Sequence, residues 1–190
     1  MISNVKDLRH KGTQTIQTQR LILRKITSND LEMIFSWMSD PEMTKYEDWI
    51  PHGSVDYTRG FISWLTSDYQ DEQTYCWGIQ LCDDIIGFAI VAGVNEWNGS
   101  IAYYIKRDLW LNGYATEAVN AIMRFMFSEV GVDRITAKHS IKNVASGKVL
   151  KKVGMRYRGH VKEFEYYVSK SEWHDCDFYA ITQEQYLHAK

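Results

Sequence analysis

Apolar positions recur along this chain at two spacings, every second residue in some stretches and every third or fourth in others. Residues 1–17 follow neither spacing and read as a loose leader. The run over 20–26 then predicts a first strand. Asn29 with Glu32 three places on has the form of a capping box, and Leu31, Ile34, Phe35 and Met38 make the apolar stripe of a helix. Asp40-Pro41 ends it, because the residue before a proline avoids the α region. A second helix is expected from about Ser54, with Tyr57, Phe61, Leu65 and Tyr69 on one face. Two β-rich runs, 75–81 and 85–91, are joined by Cys82-Asp83-Asp84 and predict a hairpin. A turn over 95–99 leads into a strand over 101–105.

The spacing changes again over 115–129, where Ala115, Ala118, Val119, Ile122, Met123 and Met126 define the inner face of a long helix closed by Gly131. A strand over 134–140, a helix over 144–152 stopped by Gly154, and strands over 155–160 and 175–182 complete the chain. The last two strands flank a polar turn at Ser169-Lys170-Ser171. The order β-α-α-β-β-β-α-β-α-β-β suits a single α/β (α+β) domain over 18–187, built as a mixed sheet covered by helices.

Composition narrows the function classes. A hydrophobic share of 45% and a charged share of 24% describe a globular chain rather than a disordered one. A formal net charge of −2 removes the broad electrostatic case for direct nucleic-acid binding. No apolar run approaches the roughly 20 residues needed to span a bilayer. The polar N-terminus lacks a signal-peptide core, so the cytoplasm is the expected compartment and no membrane partner is expected. Cys76, Cys82 and Cys176 form no paired motif, which indicates neither a disulfide framework nor a metal site.

The most informative segment runs from Leu109 to Ala118, where a strand passes through a short glycine-bearing loop directly into a helix. The first amides of a helix lack backbone partners and sit at its positive end, so a diphosphate placed there meets donors and a favourable field together. Gly113 would admit close approach of the backbone, and Ala115 keeps the helix start slim. A plain strand-to-helix turn would use one glycine in the same way.

The wider pattern separates these readings. Trp110-x-x-Gly113-Tyr114-Ala115-Thr116-Glu117-Ala118 resembles the acetyl-CoA loop of GNAT N-acetyltransferases, in the form found in the RimJ/RimL branch. Leu111 and Asn112 stand where that branch tends to have glycine and lysine. Thr18-Gln19-Arg20-Leu21-Ile22-Leu23-Arg24 resembles the branch's opening strand, and Asp40-Pro41-Glu42 its D-P-E segment. Asn143-x-x-Ser146, Val153-Gly154-Met155, Trp173-x-Asp175 and Tyr179 match later positions, so the likeness covers residues 18–187. It implies a GNAT fold, with a mixed, mostly antiparallel twisted sheet splayed in the middle and helices on both faces. The pantetheine arm would enter beside 101–105, with 134–140 across the gap. Acetyl-CoA is the implied donor, bound by Trp110, Leu111, Asn112, Gly113, Tyr114, Ala115, Thr116, Asn143 and Ser146.

The resemblance makes Ser146 the candidate donor to the departing sulfur, and the alternative for it is a plain helix-start residue. Glu96, just before the strand flanking the thioester, is the leading candidate base, with Tyr103, Tyr104 and His139 behind it. Loops over 40–56 and 92–99 would meet the acceptor, and Glu47, Asp48 and Trp49 are the residues expected to bind it. The acceptor implied by the branch is a protein N-terminal α-amino group. A small cationic amine such as a polyamine or aminoglycoside is the alternative within the family, and a CoA-binding module without turnover is the alternative outside it.

Overall fold

A computed structural model describes residues 7–188. Eight strands form one sheet in the order β1-β2-β3-β4-β5-β6-β8-β7. They are β1 (Ile16–Gln17), β2 (Leu21–Arg24), β3 (Tyr75–Leu81), β4 (Asp84–Asn95), β5 (Asn98–Ile105), β6 (Arg134–Ser140), β7 (Arg156–Tyr167) and β8 (Glu172–Thr182). Every neighbouring pair is antiparallel except β5 with β6. That parallel ladder pairs only Gly99 with Ile135 and Ser100 with Thr136. Beyond Ser100 the two strands share no ladder, so the sheet opens between them.

The helices divide between the two faces because strand residues alternate in direction. α1 (Leu31–Met38) and α2 (Val55–Thr66) cover one face, where Ile34, Met38, Ile62 and Leu65 pack with Cys76, Ile85 and Phe88. α3 (Tyr114–Phe125) and α4 (Val144–Lys152) cover the other, where Val119, Ile122, Met123 and Leu150 pack with Leu23, Trp77, Ala89 and Ile135. A short α5 (Gln183–His188) follows β8 and buries Tyr186 beside Phe127. The chain therefore has the splayed α/β architecture that the resemblance implied.

Local departures have physical causes. Of the expected leader, residues 1–6 lie outside the described residues, whereas the segment after them is tied down rather than loose. Arg9 N donates to Val130 O at 2.9 Å, Gly12 N to Glu72 O at 2.7 Å, and Thr13 Oγ1 to Thr74 O at 3.0 Å. The turn before α1 uses Thr27 and Asp30 instead of Asn29 and Glu32: the Asp30 carboxylate accepts from Thr27 N at 2.7 Å and pairs with Arg24. Ser54 does cap α2 and Leu65 of the expected stripe is buried, but Thr58 and Ile62, each one position on, take the places expected for Tyr57 and Phe61, and Tyr57 is exposed. β7 and β8 extend well beyond the expected strands and meet at a tip formed by a 3-10 turn (Val168–Lys170).

Candidate active site

The opening between β5 and β6 widens toward the C-terminal ends of both strands, because their only paired residues are at the N-terminal ends. The backbone of β5 leaves this wide end through Ile105 and reaches the start of α3 within a few residues. Trp110 pins the connection: its ring Nε1 donates to Ile105 O at 2.6 Å. Gly113 adopts φ 84° at the N-cap of α3, a conformation that suits glycine. Leu111 also lies in the left-handed region, at φ 64°, and its side chain is 97% exposed. The position where the family tends to place glycine is thus one whose backbone favours glycine. Glu117 N donates to Gly113 O at 3.0 Å, and the amides before it sit in the helix's first turn, where partners are lacking by geometry. An open strand edge leading to a bare helix N-terminus fits a ligand with an extended arm and a diphosphate.

Two distant sequence segments hold this cradle together. Glu117 accepts from Thr18 Oγ1 at 2.6 Å, from Arg20 N at 2.8 Å and from Arg20 Nε at 2.7 Å. Arg20 also donates to Asn112 O at 3.0 Å and lies over the Tyr114 ring at 4.4 Å. These contacts hold the Glu117 carboxyl below its usual range despite its partial burial.

Neighbouring residues of β5 serve opposite faces of the opening. Tyr103 points to the α3–α4 face, where its hydroxyl is 2.9 Å from Ser146 Oγ and 3.2 Å from Ser146 O. Burial pushes the Tyr103 hydroxyl up to about 12, so it keeps its proton at neutral pH. The cap of α4 is made by Asn143, whose Oδ1 accepts from Ser146 N at 3.1 Å. The Ser146 hydroxyl is therefore not spent on the helix start. His139 lies under the same helix, stacked on Tyr179. A Cβ on Gly147 would come within 2.7 Å of its Nε2, so the ring fills space that only glycine leaves.

Tyr104 points to the α1–α2 face, where its hydroxyl donates to Glu47 Oε2 at 3.1 Å. Glu47 is half-buried, and desolvation pushes its carboxyl up to about 7, against the opposing pull of the Tyr104 hydrogen bond. Trp49 stands edge-on to Tyr104 at 6.1 Å and to His52 at 5.9 Å. The β7–β8 tip clamps the loop that carries Glu47. Lys170 Nζ donates to Thr44 O (2.6 Å), Lys45 O (2.9 Å) and Glu47 O (2.8 Å), and Tyr167 donates to Tyr46 O at 2.8 Å. Asp48 accepts from Ser169 N at 2.9 Å, which makes it part of this clamp.

The structure brings together Tyr103, Tyr104, Ser146, Glu47, Trp49 and the loop over 110–116, and it leaves Glu96 apart from them. Glu96 lies in the turn between Asn95 and Asn98, at the paired end of the β5–β6 opening. At about 3.3 Å per residue, Tyr103 is roughly 15 Å further along β5. Glu96 therefore lies apart from the groups gathered around Tyr103 and Tyr104. Sequence reasoning did not single out Tyr167 and Lys170, whose partners lie more than a hundred positions away; the only signal available was the polar turn at 169–171. Among the described residues, no group of three or more His, Cys, Asp or Glu could hold a metal ion, and no helix is long and apolar enough to cross a membrane.

Comparisons with known proteins agree with this geometry. Residues 20–156 match the Acetyltransferase (GNAT) domain. The uncharacterized N-acetyltransferase YoaA of Bacillus subtilis (strain 168) is 31% identical over 173 residues, which cover 88% of this chain and 96% of the relative. A GNAT-family acetyltransferase structure from Bacillus anthracis superposes with a TM-score of 0.79 at 26% identity, covering 90% of this chain and 99% of the other. The microcin C7 self-immunity acetyltransferase MccE, solved with acetyl-CoA and AMP, shares the fold, with a TM-score of 0.77 at 17% identity over 87% of this chain and 93% of its own. With the domain match spanning most of the sequence and the relative aligned nearly end to end, the chain belongs to the GNAT family of acetyl-CoA-dependent N-acetyltransferases.

Proposed function

We propose that the chain acetylates a protein N-terminal α-amino group, as a member of the RimJ/RimL-like branch. The observation that carries this reading is the alternation of Tyr103 and Tyr104. It sets a hydroxyl pair on one face of the open strand edge and a single half-buried carboxylate on the other. A single carboxylate matches the single positive charge of an α-ammonium group. Glu165, the next acid at this mouth, is already paired with Lys138. A polyamine presents several charges, whereas among the described residues around Glu47, Asp40 is paired with Arg107 and Asp48 accepts from Ser169 N. The branch assignment draws support from the contacts of Thr18 and Arg20 with Glu117, since these are residues of two separate motifs of the resemblance.

Acetyl-CoA supplies an acetyl group already activated as a thioester. Leu111, Asn112, Gly113, Tyr114, Ala115 and Thr116 offer backbone amides and the positive end of α3 to its diphosphate, while Trp110 fixes the loop to β5. Asn143 sets the first turn of α4 and with it the position of Ser146. The Tyr103 hydroxyl can donate to the Ser146 carbonyl, which leaves the Ser146 proton free to turn toward a departing sulfur. A thiol near 8.5 is a tolerable leaving group, so one well-placed donor suffices. Glu47 and Trp49 form the acceptor wall, and Asp48 supports it through Ser169.

The edge-on contacts of Trp49 with Tyr104 and His52 favour a second reading, a small cationic amine received by aromatic rings. Thiol release from acetyl-CoA, measured across peptides with free N-termini, polyamines and aminoglycosides, separates the two. Turnover with free-N-terminus peptides and not with their Nα-acetylated twins is the expected result. Turnover confined to small amines would overturn the N-terminal reading.

A further inference from the structure

We propose that Glu47 is the base that takes the proton from the incoming amine, with Tyr104 as the residue that positions its carboxylate. This rests on the reading that the acceptor enters on the α1–α2 face. Glu47 Oε2 accepts from the Tyr104 hydroxyl at 3.1 Å, and Oε1 accepts no hydrogen bond among the described residues. One oxygen is thus held and the other is open to an ammonium group. The backbone beneath it is fixed, because Lys170 spends its donors on the carbonyls of Thr44, Lys45 and Glu47 rather than on the carboxylate. The other acids nearby are engaged: Glu165 with Lys138, Asp48 with Ser169 N, and Asp40 with Arg107.

The groups that face Glu47 come from every element around it. Tyr104 projects from β5, Lys138 from β6, Glu165 and Tyr167 from β7, and Lys170 from the tip, while Asp48 is its chain neighbour. Burial raises the carboxyl's proton affinity, the Tyr104 hydrogen bond lowers it, Glu165 raises it, and Lys170 and Lys138 lower it. The result, about 7, lies close to an α-amino group near 8, which is the match that favours proton transfer at neutral pH.

The proton balance is simple. Glu47 Oε1 takes one proton from the ammonium. The freed lone pair of the nitrogen forms the new C–N bond and displaces the sulfur, to which the electron pair of the C–S bond goes. The Ser146 hydroxyl gives that sulfur a proton, replaced by a second proton shed from the nitrogen. The third proton stays on the amide. Glu47 then releases its proton to solvent.

The test combines the pH dependence of turnover with a titration that needs none. In the wild type, kcat/KM for a free-N-terminus peptide should rise through an inflection near pH 7. That inflection should vanish in Glu47→Gln, with the rate at pH 7.5 falling tenfold or more and acetyl-CoA binding unchanged. In Tyr104→Phe, whose carboxylate has lost a donor, the inflection should move to higher pH, a shift that a purely structural role would not produce. Independently, ¹³C NMR of glutamate-labelled protein with CoA bound, which carries no acetyl group to transfer, should show the Glu47 carboxyl titrating near 7. Adding a free-N-terminus tetrapeptide should lower that midpoint, and the Nα-acetylated tetrapeptide should not. A midpoint moved by spermine but not by the peptide would keep Glu47 as base and overturn the N-terminal acceptor instead. A Glu47→Gln enzyme with the wild-type inflection and rate, or a carboxyl midpoint indifferent to every amine, would overturn the proposal.

Discussion

The hydroxyls of Tyr103 and Ser146 lie 2.9 Å apart, one carried by β5 and the other by the first turn of α4. This bond ties β5 to the helix that follows β6, on the far side of the opening, and Ser146 keeps its hydroxyl free for it because Asn143 makes the helix cap. Ser146→Ala should therefore fold and bind acetyl-CoA normally. Its turnover should fall by up to about a hundredfold, the effect of losing a donor to developing charge. Tyr103→Phe should cost less, and the double variant should cost less than the product of the two, since both act through one contact. Single-turnover rates check this. Wild-type turnover in Ser146→Ala with chemistry limiting would transfer the donor role elsewhere.

Leu111 carries a left-handed backbone at φ 64° and almost no contacts, with 97% of its surface exposed. A branched, non-glycine residue in that region is strained by about 1–2 kcal/mol. Leu111→Gly removes the strain and forfeits little packing, while the added freedom of the unfolded chain takes back part of the gain. The variant should be more stable by up to about 1 kcal/mol and should bind acetyl-CoA at least as tightly. Thermal scans with and without acetyl-CoA measure both. A clear loss of stability would show that Leu111 makes a contribution other than its backbone shape.

Much of this architecture was legible because local and global signals agreed. The α4 boundaries follow from Asn143 at one end and Gly154 at the other, and the end of the wider turn that continues α3 over Met126–Val130 follows from Gly131 at φ 95°. The cradle was legible for the same reason: a strand, a glycine turn and a helix are contiguous in sequence. Where tertiary contacts decide, sequence spacing misled. Asp30 caps the turn at Thr27 because it also pairs with Arg24, and the face of α2 rotates because Thr58 bonds the buried His52. Glu96 looked close to the chemistry because it precedes β5, yet the side chains that gather at the opening, those of Tyr103 and Tyr104 with their partners, lie further along that strand. Glu47 gains its place only through Tyr104, which is 57 positions away, and through a hairpin tip more than a hundred positions away.

Glu117 accepts three hydrogen bonds from Thr18 and Arg20, and its side chain is 17% exposed. Glu117→Ala leaves those donors without their acceptor and releases Arg20 from the loop it braces at Asn112. A loss of about 2 kcal/mol in stability is expected, within the range for a charge-assisted cluster. Acetyl-CoA affinity should fall as well, because the start of α3 loses its brace. Calorimetric titration distinguishes this from a purely global effect: unchanged affinity in the folded variant would separate the brace from the cradle.

Glu47 also makes a statement about the ligand-free protein. Its carboxyl is raised from 4.5 to about 7, chiefly by burial, so the native state holds a proton that the unfolded chain would release. A native state that binds more protons than the unfolded one loses stability as pH rises, and here the loss falls between about 4.5 and 7. Below that window the carboxyl is protonated in both states and contributes nothing. Above it the native protein carries an ionised carboxylate in a poorly solvated place, at a cost of roughly 3 kcal/mol by the shift alone. The solvent that reaches a half-buried residue reduces this to on the order of 2 kcal/mol. The substitution Glu47→Gln keeps an oxygen for the Tyr104 hydroxyl and removes the charge. This variant should therefore melt with the wild type at pH 4.5 and about 4–8 °C above it at pH 8. His52, held toward its neutral form by burial, has the opposite pH dependence, but it is common to both proteins and drops out of the difference. A gap that stays constant from about pH 4.5 to 8 would mean that Glu47 titrates like a solvated carboxylate. A gap that opens as expected would mark it as a group kept at a cost to stability, which is the usual mark of a residue retained for chemistry.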